Sequence, residues 1–194
     1  MNNLLKGIKY IYLDMDGVLA NMGSQLLDDK GEVLEDRQEM VKRFSTPGFY
    51  ESMPAYENNL KVVKYLINLK KYDIHILSSS HNERIDKEKR AWLKKHLSEI
   101  KEENIIFTRS NGKNRIEKGE YVKTPFSQSL LIDDYFLNLI EWKNRGGKCI
   151  KYVNEFDSVN GRHTDHNILY ITDFSQILEN KNIDLNDFKE SVAE

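Results

Sequence analysis

Short runs of β-branched, leucine and aromatic residues alternate along the chain with longer segments whose apolar positions recur every three or four residues. Residues 8 to 13, Ile-Lys-Tyr-Ile-Tyr-Leu, have the length and composition of a strand buried on both faces. Further strands are expected at 72 to 77, 104 to 107, 129 to 132, 148 to 153 and 168 to 171. Between them, residues 58 to 70 place Leu60, Val63, Leu66 and Ile67 on one helical stripe, with Asn58 or Asn59 as the N-cap. Residues 83 to 101 form the clearest helix, with Ile85, Trp92, Leu93, His96, Leu97 and Ile100 on one side and a solvated Lys/Arg/Glu face opposite. Phe136, Leu139, Ile140 and Trp142 predict a helix over 135 to 143 that Gly146-Gly147 stops, and helical segments run on from Asp173. Strand, helix and strand in alternation imply βαβ crossovers and a parallel sheet.

Two of these strands end in paired carboxylates. Side chains alternate along a strand, so Asp14 and Asp16 project to the same side, and Gly17 lets the backbone turn sharply behind them. Such carboxylates repel unless a cation or a shared proton intervenes, which points to Mg²⁺; Asp-x-Asp-Gly is also an ordinary turn composition. The strand at 129 to 132 runs into Asp133-Asp134. Parallel strands can bring the two pairs together, and two acidic strand ends in one small chain favour a metal site over two accidental turns.

Other segments carry weaker signals. Ser78-Ser79-Ser80 follows the second strand, where hydroxyls suit a phosphate oxygen, although three serines also make a plain loop. The connection from Thr108 to Thr124 exceeds the usual length and offers Lys113, Arg115, Lys118 and Lys123. Between the first two strands, residues 26 to 44 fit one short amphipathic helix, and Ser45-Thr46-Pro47-Gly48 breaks it before Phe49-Tyr50. Packing of a small cap accounts for those two aromatics as residues. His163 and His166 lie in a polar loop without further ligands and are expected to be solvated.

The 194 residues suit one domain with a small inserted cap, and a hydrophobic fraction of 39% supplies a real core. A net charge of −2 excludes the basic excess that a nucleic-acid polymer or an acidic membrane would select. No apolar run approaches the ~18 residues of a membrane span, and no signal-peptide core is present. The single Cys149 fits a reducing, cytoplasmic setting and a packed thiol within a strand.

Asp14-Met15-Asp16-Gly17-Val18, Ser78 after Ile74-His75-Ile76-Leu77, and Asp133-Asp134 after Leu130-Leu131-Ile132 together resemble the motifs of the haloacid-dehalogenase (HAD) superfamily of phosphohydrolases. Within it, Thr46-Pro47-Gly48-Phe49-Tyr50, Met53-Pro54, Glu88-Lys89-Arg90-Ala91-Trp92, Thr108-Arg109 and Lys123-Thr124 resemble the 5'(3')-deoxyribonucleotidases. The resemblance implies an α/β fold, a HAD-like Rossmannoid three-layer sandwich with a central parallel sheet. Its core would comprise 1–20 and 58–194, and a small helical cap over 21–57 would be inserted after the first strand. It implies Asp14 as nucleophile forming an aspartyl-phosphate, and Asp16 as acid and base. Ser78 and a lysine would bind the phosphoryl group, Lys123 by its interval before Leu-Leu-Ile-Asp-Asp, with Lys113 and Lys118 as rivals.

Mg²⁺ would be held by Asp14, the Asp16 carbonyl and Asp133, with Asp134 in support. Phe49, Tyr50 and Ser79 would contact the substrate, a nucleoside monophosphate. Ser79-Ser80-His81-Asn82 stands where the family carries Ser-Pro, and Tyr135 where it carries Arg, so a phosphosugar or other small metabolite is the alternative substrate. A non-catalytic binding module on the same fold is the third reading. The implied partner is a small phosphate ester, and a homodimer is compatible with the resemblance.

Overall fold

The computed structural model describes residues 4–28, 30–109, 117–154 and 168–179. Six parallel strands form one sheet: β1 (Tyr10–Leu13), β2 (Asp73–Ser80), β3 (Ile105–Arg109), β4 (Ser129–Asp133), β5 (Lys148–Tyr152) and β6 (Leu169–Ile171). Their spatial order is β3-β2-β1-β4-β5-β6, so the chain starts in the middle, builds one edge, then crosses back to build the other. The connections carry α1 (Arg37–Ser45), α2 (Glu57–Asn68), α3 (Glu83–His96) and α4 (Phe136–Asn144), and α5 (Ser175–Glu179) follows β6.

Alternation along the strands divides the core into two layers. Ile11 and Leu13 of β1 and Leu130 and Ile132 of β4 pack with Leu60, Val63 and Leu66 of α2 and with Trp92 and Leu93 of α3. Tyr12 and Leu131, the intervening residues, join Leu139 and Trp142 of α4 and Cys149 on the other face. The expected three-layer architecture is therefore present, and Cys149 is a buried thiol within it.

Register fixes where the chemistry sits. Leu13 of β1 lies opposite Ile76 of β2 and Ile132 of β4, so Asp14 emerges beside Asp133. The Asp14 amide continues the ladder by donating to the Ile132 carbonyl at 3.0 Å. The carboxyl ends of the three central strands thus converge where the strand order reverses, which is where open α/β sheets place their ligands.

Local expectations shift in four places, the first being that α3 stops at His96 rather than running to 101. The serines are part of β2, because β3 pairs with them: Ser78 with Phe107, Ser79 with Thr108 and Ser80 with Arg109. Neither Asn58 nor Asn59 caps α2, whose N-cap position is Tyr56. Asn59 is instead buried, donating to the Val18 carbonyl at 2.8 Å and accepting from the Phe174 amide at 3.1 Å. The helix of the inserted segment is confined to α1 and buries none of its residues. His163 and His166 lie outside the described residues.

Candidate active site

The first strand sets a buried carboxylate at its end. Asp14 is 7% exposed, and its Oδ1 accepts from the Met15 amide at 2.8 Å. Gly17, at φ +75°, makes the turn that follows. A β-carbon there would lie 2.3 Å from Asp134 Oδ2 and 2.8 Å from Asn154 Nδ2, so glycine is required by space as well as by conformation.

Asp14, Asp133 and Asp134 each offer a carboxylate oxygen within 4.8 Å of the others. Asp133, fully buried, accepts from the Tyr135 amide at 2.8 Å and from Asn138 Nδ2 at 3.0 Å. Asn154 Nδ2 donates to both the Gly17 carbonyl and Asp134 Oδ2 at 2.9 Å, tying the end of β5 to the turn after β1. Burial, and after it the charges of Asp133 and Asp14, hold the Asp134 carboxyl well above the usual range. An excess of buried negative charge on hard oxygen donors is what a divalent cation relieves, so these three residues fit Mg²⁺.

The lysine between the carboxylates is Lys118. Its ammonium lies 2.7 Å from Asp133 Oδ2 and 3.0 Å from Asp14 Oδ2, and the residue is 1% exposed. The two acidic neighbours outweigh burial and push its pKa up. Lys123, the residue expected in this place, is exposed on the extended stretch leading to β4, and Lys113 lies outside the described residues. The reason is the fold of the connection. A 3₁₀ turn, Lys118–Tyr121, packs on α4 through the Gly119 amide, which donates to Glu141 Oε2 at 3.3 Å. A β-carbon on Gly119 would strike Glu141 and Arg145.

Asp16 is held by a second buried lysine to which the sequence assigned no role. Lys89 of α3 is 0% exposed and donates to Asp16 Oδ2 at 2.6 Å, Ser78 Oγ at 3.0 Å and the Ser79 carbonyl at 2.6 Å. All its donors are thereby used. Asp16 Oδ1 is buried and has no hydrogen-bond partner among the described residues. Burial raises the Asp16 carboxyl above its usual range, against the lowering pull of Lys89. Ser78, with its oxygen accepting from Lys89, keeps its own proton to donate.

Ser79 does not join this group through its side chain, which is paired with Thr108 Oγ1 at 3.3 Å. Arg109 is engaged by Asp86, with Nη1 2.8 Å from Oδ1. Phe49 and Tyr50 are both buried and meet edge to face at 5.1 Å. The Lys89 ammonium lies 5.2 Å from the Tyr50 ring centroid. Burial, then the charge of Asp16, raises the Tyr50 phenol above its ordinary value, which places that ring within the field of the site.

By sequence the chain matches no protein-family model and no curated protein. By structure it is similar to a HAD-hydrolase, YfnB, from Bacillus subtilis, in a form bound to magnesium. The TM-score is 0.62 at 11% identity, over 91% of this chain and 99% of that one. It is similar at TM-score 0.61 and 10% identity to a D,D-heptose 1,7-bisphosphate phosphatase from B. bronchiseptica complexed with magnesium and phosphate, over 89% and 99% of the two chains. A haloacid dehalogenase-like hydrolase from Streptococcus pneumoniae aligns at TM-score 0.58 and 11% identity, over 90% and 98%. The fold is that of HAD-like hydrolases and phosphatases.

Proposed function

We propose that this HAD-like fold carries a Mg²⁺-dependent phosphomonoesterase that works through an aspartyl-phosphate. The observation that supports the reading is that the two aspartates following the first strand are held by different buried lysines. Asp14 faces Lys118 and Asp133, whereas Asp16 is anchored by one oxygen to Lys89 and keeps the other unengaged.

Asp14 attacks phosphorus, and the ester P–O bond breaks. The departing oxygen takes a proton from Asp16 Oδ1, whose raised pKa suits a group that must hold that proton until then. Asp16, now ionised, removes a proton from water as it attacks phosphorus, which frees Asp14 and phosphate. Lys118 holds Asp14 in line and offsets charge on the phosphoryl oxygens, and the Ser78 hydroxyl donates to one of them. Asp14, Asp133 and Asp134 would hold Mg²⁺, which when bound supplies positive charge against the phosphate.

The leaving group we infer is a nucleoside, with Phe49 and Tyr50 as the aromatic wall beside Asp16. The similarity to a heptose bisphosphate phosphatase supports the second reading, a phosphosugar. Segment 21–57 serves in either case as the cap.

The test is hydrolysis of p-nitrophenyl phosphate with and without Mg²⁺, followed by a panel of nucleoside monophosphates and sugar phosphates. Turnover is expected only with metal, and Asp14→Asn is expected to abolish it. A metal-replete protein that hydrolyses none of these esters overturns the phosphatase reading. Phe49→Ala and Tyr50→Ala with unchanged nucleotide turnover would remove the nucleoside.

A further inference from the structure

Helix α3 belongs to the sheet domain, yet three of its side chains hold the inserted segment by its main chain. Arg84, Glu88 and Trp92 stand at i, i+4 and i+8, one above another on a single stripe. Arg84 donates to the Phe44 and Thr46 carbonyls, each at 3.3 Å. The Glu88 carboxylate accepts from the Gly48 amide at 3.0 Å and the Tyr50 amide at 3.2 Å. Trp92 Nε1 donates to the Met53 carbonyl at 2.7 Å. Arg84 also braces Glu88 at 2.5 Å, so the carboxylate is paired although it is only 7% exposed. The next residue on the helix is Lys89, which holds Asp16 and Ser78. One helix thus grips the inserted segment with three residues and the proposed acid–base group with a fourth, the neighbour of Glu88.

We propose that this stripe is a clamp, and that Glu88 is a positioning residue that sets the leaving-group wall over Asp16. Glu88 touches no reacting atom. It fixes the two amides that flank Phe49, and so decides where the rings of Phe49 and Tyr50 stand relative to the Lys89–Asp16 pair. The wall is then a fixed surface, and selectivity for a bulky leaving group depends on it, whereas attack on phosphorus depends on Asp14 and Lys118. The proposal rests on the assignment of Asp16 and of the aromatic wall made above, while the clamp itself can be read without turnover.

Two measurements test it, on Glu88→Ala, Glu88→Gln and Arg84→Met. Backbone amide hydrogen exchange at Gly48 and Tyr50 is expected to quicken about tenfold in Glu88→Ala, the loss of a charge-assisted hydrogen bond. Arg84→Met should quicken it less, and the amides of the central strands should keep their protection. The ratio of kcat/KM for p-nitrophenyl phosphate, with its bulky leaving group, to that for acetyl phosphate should fall about tenfold in Glu88→Ala, chiefly through KM. Glu88→Gln, which keeps one accepting oxygen, should recover part of both effects. Unchanged exchange in Glu88→Ala and Arg84→Met overturns the clamp. Equal loss on both substrates overturns the positioning role, because general destabilisation does not discriminate between leaving groups. If Glu88→Ala does not fold, Arg84→Met and Glu88→Gln carry both readouts. An inactive wild type with a normal exchange response sinks the phosphatase reading and leaves the clamp standing.

Discussion

Two buried lysines divide the candidate site, and each is paired with one aspartate of the same strand end. Lys118 contacts Asp14 and Asp133, and Lys89 contacts Asp16. In the proposed reaction, replacing Lys118 by Met removes a preorganised cation from the place assigned to the phosphoryl group. We expect kcat to fall by at least ~10²-fold, whereas exposed Lys123→Met should stay within about twofold of wild type, because surface substitutions clear of the site change little. Steady-state kinetics on p-nitrophenyl phosphate checks both, and equal losses in the two variants would return the role to an open question. The carboxylates were legible in the sequence because each follows directly on an apolar run that reads as a buried strand, and β1 and β4 then lie side by side at the centre of the sheet. The lysine was not, since its direction depends on Gly119 packing against Glu141 and Arg145, more than twenty residues further along the chain. Asn138 and Asn154, which hold Asp133 and Asp134, were hidden for the same reason: nothing local distinguishes them from other asparagines.

Among the elements, α3 carries the most chemistry per turn and depends on a single cap. Asn82 accepts from the Ile85 amide at 3.0 Å, which satisfies one of the helix's unpaired N–H groups. Asn82→Ala should cost about 1 kcal/mol, measured by urea unfolding. Val41→Ser on α1, 54% exposed, should change stability by less than about 0.5 kcal/mol and serves as the control. The helix boundary at Asn82 was visible in the sequence, as were Trp92 and Leu93 on its buried side. Lys89 was not, because its place on the amphipathic pattern beside Ile85 and Leu93 looks like an interruption until Asp16 and Ser78 are brought opposite it. The extension of β2 through its three serines shows the same limit: partner strand β3 decides it, against the local composition.

For the molecule as a whole, the buried acidic cluster is a stability cost, one that the proposed cation would offset. Asp134 has a raised carboxyl in the folded state, so its deprotonation favours unfolding. The metal-free protein should therefore gain stability as pH falls toward the ordinary carboxylate range, and lose it as pH rises through the folded-state value of Asp134. Asp134→Asn should raise the Tm of the metal-free protein at neutral pH, because it removes the buried charge whose proton the fold retains. Added Mg²⁺ should raise the Tm of wild type and raise that of Asp134→Asn less. Scanning fluorimetry across pH, with and without metal, reads all three, and a Tm indifferent to Mg²⁺ would remove the metal from this site. No described helix is long and apolar enough to cross a membrane.

The grip of α3 on the inserted segment has a consequence for how such a protein can change over generations. The hydrogen bonds that Arg84, Glu88 and Trp92 make there end on carbonyls or amides, at Phe44, Thr46, Gly48, Tyr50 and Met53. Main-chain atoms are common to nearly all residues, so the seat survives when the side chains above it are exchanged. Mutations at 49 to 52 can then reshape the wall that meets the leaving group without unseating it. In the proposed function, drift in substrate range is then separated from drift in the residues assigned to phosphate cleavage, and each is free to be selected without the other.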